Sequence, residues 1–471
     1  MKKIIILIFT IALILFSYSL FYDFSNTLII LLVPFLILIV TLTPFLLTKI
    51  FVFSPWAYLL YFTFLNVFLR AFCILFDFPN KIVIDDYFLL GQGKISLLFP
   101  SIIVFFGYLI ITVIFIITNK FRFKWQSKIL NSYDWNKQKL IKVSILILFI
   151  SVLCFYKFII ISISSLSLLD LTNFSNYRGV STDLTEYNSN GYLRFGIQLA
   201  EIILYINYIY VLTYKKGNSF INYFIIILSI IIAASFHVFV QSRSGVLMIF
   251  INLLIFRYIF IKNKISKLAI GLISIFSLSI FGFLTSVRQG SGYKTDSISI
   301  TYPLEALQPF IVNNGGIDIS KTGKILEYVN NNNDFKFGSS LTWNLIAWIP
   351  RSFWKDKPVN IDTEVGSKIY GATAFGTGAV PPGLFGEMYW NFSYFGIFFG
   401  CILVGFILAI TQKYFNERLS SVNSTMIYIL CFSQISVGIL GSSLTSTITG
   451  ILFTMIPILA INKYILKRNI K

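Results

Sequence analysis

The sequence predicts an all-α polytopic membrane protein of about twelve transmembrane helices with one long outer loop, and three observations carry that prediction. Of its 471 residues, 56% are hydrophobic and only 12% charged, about half the ~25% charged share of soluble domains. Apolar runs of about 20 residues, each long enough to cross a hydrocarbon core of about 30 Å, recur along nearly the whole chain. Basic residues cluster between alternate runs, as they do in the cytoplasmic loops of membrane proteins. In lipid, such runs satisfy their backbone only as a bundle of helices.

The spans are placed, in order, near 3–22, 27–48, 51–74, 95–118, 141–165, 193–214, 220–240, 245–261, 268–287, 391–412, 424–441 and 444–463. The first, "IIILIFTIALILFSYSL", is longer than the apolar core of a signal peptide and no small-residue cleavage site follows it, so it reads as a retained helix. Lys120, Arg122, Lys124, Lys128, Lys137 and Lys139 fall between the fourth and fifth spans, and Lys463, Lys467, Arg468 and Lys471 follow the last. Those segments are therefore read as inner, and both termini as cytoplasmic. A net charge of +19 would suggest nucleic acid for a soluble chain. Here the inner loops account for much of it, and no nucleic-acid partner is expected. Cys73, Cys154, Cys401 and Cys431 all sit inside apolar runs without CxxC spacing, which reads as core packing.

Three regions follow: 1–287 with nine helices, 288–390 as the long outer loop, and 391–471 with the last three helices. Within the loop, "DISKTGKILEYV" (318–329) has a capping residue and helical apolar spacing, which predicts an amphipathic helix resting on the bundle. "NNNN" (330–333) reads as a polar turn. "NLIAWIPRSFWKDKP" (344–358) reads as an aromatic and basic element at the outer interface.

The arginines are unevenly distributed. Arg70, Arg178, Arg194, Arg243, Arg288 and Arg351 all lie at or near outer helix ends or in outer loops. Guanidinium suits bidentate phosphate recognition, and the competing reading for each is a side chain snorkelling to lipid phosphate. Arg243 lies in "QSRSG", the tight link between two spans, and Arg288 in "SVRQGSGY". Arg194, Gln198 and Glu201 stand at i, i+4 and i+7, a polar stripe on one helix face. Glu201 would lie roughly 10 Å below the outer surface at 1.5 Å per residue. An ionisable group at that depth should face a cavity or a partner. His237, the sole histidine, sits near the outer end of the next span. For Glu201 and His237 the competing reading is a bond between neighbouring helices. No HExxH, paired CxxC, P-loop or GxSxG occurs, which argues against zinc hydrolase, ATPase and serine hydrolase chemistry. Nothing in the chain asks for a metal or a cofactor.

Four segments together resemble the Wzy-type O-antigen or oligosaccharide repeat-unit polymerases: "QSRSG", "SVRQGSG", "WIPRSFWKDKP" and "PPGLFGEMYWNFSYFGIFFG" (381–400), in that order. The resemblance covers the second half of the chain; the first half matches in hydropathy and loop layout. It implies a glycosyltransferase of the bacterial inner membrane that moves a growing glycan from its undecaprenyl-diphosphate carrier to another carrier-linked repeat unit on the outer face. Membrane lipid and a chain-length regulator protein would be its other partners. Arg243, Arg288, Glu387 and His237 are then the catalytic candidates, and Arg178, Arg194, Glu201 and Arg351 the substrate-binding ones. Glu387 could instead serve as a helix cap or packing group. The arginine-to-glycine spacing found in two outer loops of some polymerases and ligases is missing around Arg178 and Arg351. A transporter of lipid-linked oligosaccharide and an O-antigen ligase remain the alternatives.

Overall fold

The structure is a computed structural model that describes residues 2–48, 50, 54–76, 98–121, 135–163, 191–213, 220–239, 243–261, 319–347, 349, 353–354, 356–371, 380–418 and 422–465. Every regular element among them is helical. Eight helices are long and apolar enough to cross a membrane: Lys3–Tyr22, Pro55–Cys73, Leu98–Lys120, Lys137–Ile160, Tyr192–Thr213, Phe220–Phe239, Gly383–Tyr414 and Leu444–Ile465. Two shorter apolar helices, Leu32–Leu47 and Gly245–Phe260, and the stretch 422–441 fall where three further spans are expected. The ninth expected span, 268–287, lies outside the described residues.

In chain order the helices are α1 (Lys2–Tyr22), α2 (Phe24–Ile30), α3 (Leu32–Leu47), α4 (Pro55–Thr63), α5 (Arg70–Leu75), α6 (Leu98–Lys120), α7 (Lys137–Ile163), α8 (Gly191–Thr213), α9 (Phe220–Phe239) and α10 (Arg243–Phe260). There follow α11 (Ile319–Asn332), α12 (Ser339–Ile346), α13 (Ile361–Lys368), α14 (Gly383–Arg418), α15 (Val422–Ser433), α16 (Ile439–Gly441) and α17 (Leu444–Ile465). A π-helical stretch, Phe64–Leu69, joins α4 to α5, and a second, Gln434–Gly438, joins α15 to α16.

Apolar side chains form three clusters. One is built from α7, α8, α9, α10, α15 and α17, the second from α3, α4, α6, α11, α13 and α14, and the third from α1 to α5. Burial differs sharply between helices: 61% of the apolar stretch of α8 is enclosed by protein, against 17% for α1. Helix α8 is therefore a core element, and Ile6, Leu7 and Ile14 of α1 are left to face lipid.

Hydrogen bonds fix which helix ends share a face. At one end the Asn136 N–H donates to the Ile465 carbonyl at 2.9 Å, tying the start of α7 to the end of α17. Lys413 of α14 donates to the last carbonyls of α6 at Thr118 and Phe121, the usual role of a cation at a helix C-terminus. The starts of α6 and α17 and the first limb of α14 meet the layer formed by α11, α12 and α13.

The layer helix α11 appears where the amphipathic spacing predicts it, burying Ile325, Leu326 and Val329 against α6 and α14. The asparagine run behaves differently from its reading as a turn. The helix continues through Asn332, and Asn333 ends it with φ +50°, a conformation that asparagine tolerates well.

The tenth span also departs from expectation, because its helix begins at Gly383 and not near 391. It is two limbs: Phe392 (φ −140°, ψ 22°) and Ser393 (φ 57°, ψ −148°) break it. The first limb folds back on the second, with Met388 and Leu384 against Gly400 and the Met388 backbone against Gly396. A limb that ends inside protein must satisfy its last carbonyls. The Lys336 N–H does so for Trp390 at 2.9 Å, and the Phe337 N–H for Asn391 at 3.1 Å.

Candidate functional site

Two polar clusters lie toward the end of the bundle that carries α11 to α13. The first surrounds Glu387, in the folded-back limb of α14. Its side chain is fully buried. Oε2 accepts the Leu444 N–H at 2.5 Å, while the hydroxyls of Ser340 (3.1 Å) and Thr445 (3.0 Å) reach Oε1. The carboxyl group thus caps the first turn of α17. Asn391, one turn on, donates to Ser340 Oγ at 2.7 Å, and its Oδ1 accepts the Gly338 N–H at 2.9 Å.

Asp362, in the first turn of α13, binds the same Ser/Thr-rich start of α17: its Oδ2 accepts from the Ser446 hydroxyl at 2.7 Å. Its Oδ1 is enclosed without a hydrogen-bond partner among the described residues. Burial raises its pKa, opposed by the hydroxyls of Ser443 and Ser446 and the charge of Lys321. A carboxyl whose folded pKa lies above its unfolded value of about 3.9 makes folding less favourable as pH climbs through that interval, and the deficit persists at neutral pH. The melting temperature of Asp362→Asn should therefore gain on the parent's from about pH 4 upward and then level off; a difference that does not vary with pH would contradict this.

The layer itself is tied by ion pairs around the buried Trp390. Lys368 reaches Asp334 at 2.8 Å and Glu364 at 2.9 Å, and Lys336 pairs with Glu364. The bond from Lys368 holds the Asp334 carboxyl below its usual range, with burial opposing and the charge of Lys336 assisting. In "NLIAWIPRSFWKDKP", Lys357 is buried and donates to the carbonyls of Ala347 (3.0 Å) and Ile349 (2.9 Å), with its ammonium 4.9 Å from the Trp343 ring. This part of the segment closes its own loop. Phe353 remains exposed.

The second cluster joins α8, α9 and α10. His237 Nε2 lies 3.4 Å from Glu201 Oε2, and the Tyr205 hydroxyl donates to Glu201 Oε1 at 2.6 Å. Tyr205 in turn accepts from Asn252 Nδ2 at 3.2 Å. The imidazole fits only because residue 245 is glycine: a β-carbon there would run into the His237 ring. Along the stripe above Glu201, Gln198 is exposed and Arg194 is partly buried, with its guanidinium 5.6 Å from the centre of the Phe158 ring.

Among the eight candidate residues the structure brings Glu201 and His237 into contact and places Glu387 in the other cluster. Arg243 is the first residue of α10, two positions before the glycine that receives His237, but its side chain lies outside the description. Arg178, Arg288 and Arg351 lie outside the described residues altogether. Tyr205, Asn252 and Gly245 escaped the sequence reading, although Tyr205 continues the polar stripe at i+4 from Glu201. The run "SSLTST" (442–447) also escaped it, and a hydroxyl-rich stretch opening an apolar helix was the available signal. Among the described residues no three His, Cys, Asp or Glu side chains converge as a metal cluster would. The chain matches no family model, no characterised protein and no solved structure.

Proposed function

We propose that the chain polymerises lipid-linked oligosaccharide repeat units, transferring the glycan from undecaprenyl diphosphate to the non-reducing end of an acceptor unit at the outer face of the bacterial inner membrane. The observation that carries this reading is the Glu201–His237 contact inside the bundle, beside the helix that opens with Arg243. The donor in such a reaction brings its own leaving group. The protein has only to supply cations for the diphosphate, an acceptor for the hydroxyl proton and a site shielded from water. An ionisable group inside the bundle costs insertion energy, on the order of 2.5–3.5 kcal/mol per carboxylate, and a catalytic role is a reason for keeping it beyond the bond it makes between neighbouring helices. The motif resemblance in the second half of the chain supports the same assignment, as does the helical layer over one end of the bundle.

A transporter of the same lipid-linked oligosaccharide is the second reading. It is favoured by the break at Phe392–Ser393 and the π-helical turns at Phe64–Leu69 and Gln434–Gly438, since interrupted helices are common in transporters.

Deletion with complementation, with surface glycan resolved on a gel, separates the readings. The polymerase loses the long ladder and leaves single repeat units attached; a transporter or ligase leaves no surface glycan. Complementation with Arg243→Ala or Arg288→Ala should fail to restore the ladder at normal protein level. A restored ladder would remove those residues from the site.

A further inference from the structure

We infer that Glu201 is the general base of the proposed transfer, with His237 and Tyr205 as its positioning residues and Glu387 outside the chemistry. The inference rests on the glycan-transfer reading and assigns the proton within it.

The tautomer of His237 decides which partner is the proton acceptor. Its Nδ1 is buried and has no hydrogen-bond partner among the described residues, and the nearest side of the ring is packed on Gly245, in the first turn of α10. A proton on Nδ1 would be a buried donor with no acceptor, set against the positive end of a helix. The geometry therefore places the ring proton on Nε2, from which it donates toward Glu201 Oε2. Glu201 is then the accepting member, held on Oε1 by Tyr205 and on Oε2 by His237. Each carboxylate oxygen still offers a second lone pair.

Access separates the two carboxylates. The Glu201 side chain is 22% exposed, and Gln198, nearly one turn toward the start of α8, is exposed. A hydroxyl can approach along the stripe. Glu387 is 0% exposed and both of its oxygens are occupied by donors of the α12 and α17 starts. No acceptor sugar can reach it without dismantling that junction.

The proposed step balances with these groups alone. The acceptor hydroxyl oxygen bonds to the anomeric carbon of the donor glycan as its proton passes to Glu201. The bond from that carbon to the diphosphate oxygen breaks, and the electron pair leaves with the diphosphate. Tyr205 and His237 keep the carboxylate oriented throughout, and Asn252 holds Tyr205.

The test uses the full chain, purified in lipid nanodiscs with carrier-linked repeat units, and the same variants in the deletion strain. Glu201→Gln should lose at least about 100-fold in kcat with KM within a few fold, the range expected for loss of a positioned base. Glu201→Ala should be equally slow, and added formate should restore part of its rate. Tyr205→Phe and His237→Gln should lose about tenfold, without response to formate. Glu201→Gln within tenfold of the parent overturns the assignment while leaving the polymerase reading intact. So does Glu201→Ala that formate leaves slow while its melting temperature matches the parent's. A deletion strain that keeps its ladder overturns the polymerase reading itself, and the base assignment with it.

Discussion

Replacing Glu387 by leucine is expected to lower the stability of the folded chain by about 2–4 kcal/mol, read as an earlier unfolding transition in detergent. The estimate follows from which donors lose their acceptor. The Leu444 N–H has nowhere else to go, because it belongs to the first turn of α17 and its one described partner is Glu387 Oε2. A buried orphan amide costs about 1–3 kcal/mol. The Thr445 hydroxyl fares better, since it already lies 3.0 Å from the Ser340 carbonyl, whereas the Ser340 hydroxyl keeps only the bond it accepts from Asn391 and its own proton loses its acceptor. The Ser340 hydroxyl, left with no acceptor, adds the remainder. Glu387→Gln retains one acceptor oxygen but sets an amide donor among donors, so it should fall between leucine and the parent. If Glu387 were also the base, Glu387→Gln would lose turnover by far more than its loss of stability accounts for. Stability and turnover measured on the same sample distinguish the two.

The bundle was legible where apolar length alone decides the matter. The expected spans near 3–22 and 220–240 coincide with helices Lys3–Tyr22 and Phe220–Phe239, since neither run offers an alternative to crossing lipid. The amphipathic spacing of 318–329 was legible for the same reason: its apolar face has one place to go. Legibility failed where polar residues are paid for by distant partners. Glu387 and Asn391 made 383–391 look like loop, yet the limb is buried because Leu444, Thr445, Ser340 and Gly338 supply its hydrogen bonds from far along the chain. The contact of Glu201 with His237, 36 positions apart, had a visible half in each helix. What local sequence could not show was the rotation of α9 about its axis, which is set by Gly245 admitting the imidazole. Asn252 is a further case, because a lone asparagine in an apolar run gives no hint of which neighbouring hydroxyl it will meet.

The two glycines of the folded-back hairpin should respond very differently to the same substitution. A β-carbon at position 396 would fall on the Met388 carbonyl oxygen and lie 3.0 Å from both the Met388 carbonyl carbon and Phe392 Cβ. Backbone cannot step aside, so Gly396→Ala must push the limbs apart and should cost about 2–3 kcal/mol, at the upper end of the overpacking range. At position 400 the nearest atom is Met388 Cγ, at 2.7 Å. A flexible thioether side chain can turn away, and Gly400→Ala should cost at most about 1 kcal/mol. Ser393 gives the opposite sign. Its φ of 57° with ψ of −148° lies in a region costly for any residue with a β-carbon, by about 1–3 kcal/mol. Ser393→Gly should therefore stabilise the chain by about 1 kcal/mol after the greater entropy of glycine in the unfolded state is set against the relief. The order of unfolding temperatures, Ser393→Gly above parent, Gly400→Ala slightly below and Gly396→Ala far below, is the signature of a hairpin in contact along its backbone. A straight helix through 383–418 would give a different order, because Gly396→Ala would then raise helix propensity by close to 1 kcal/mol and stabilise the chain.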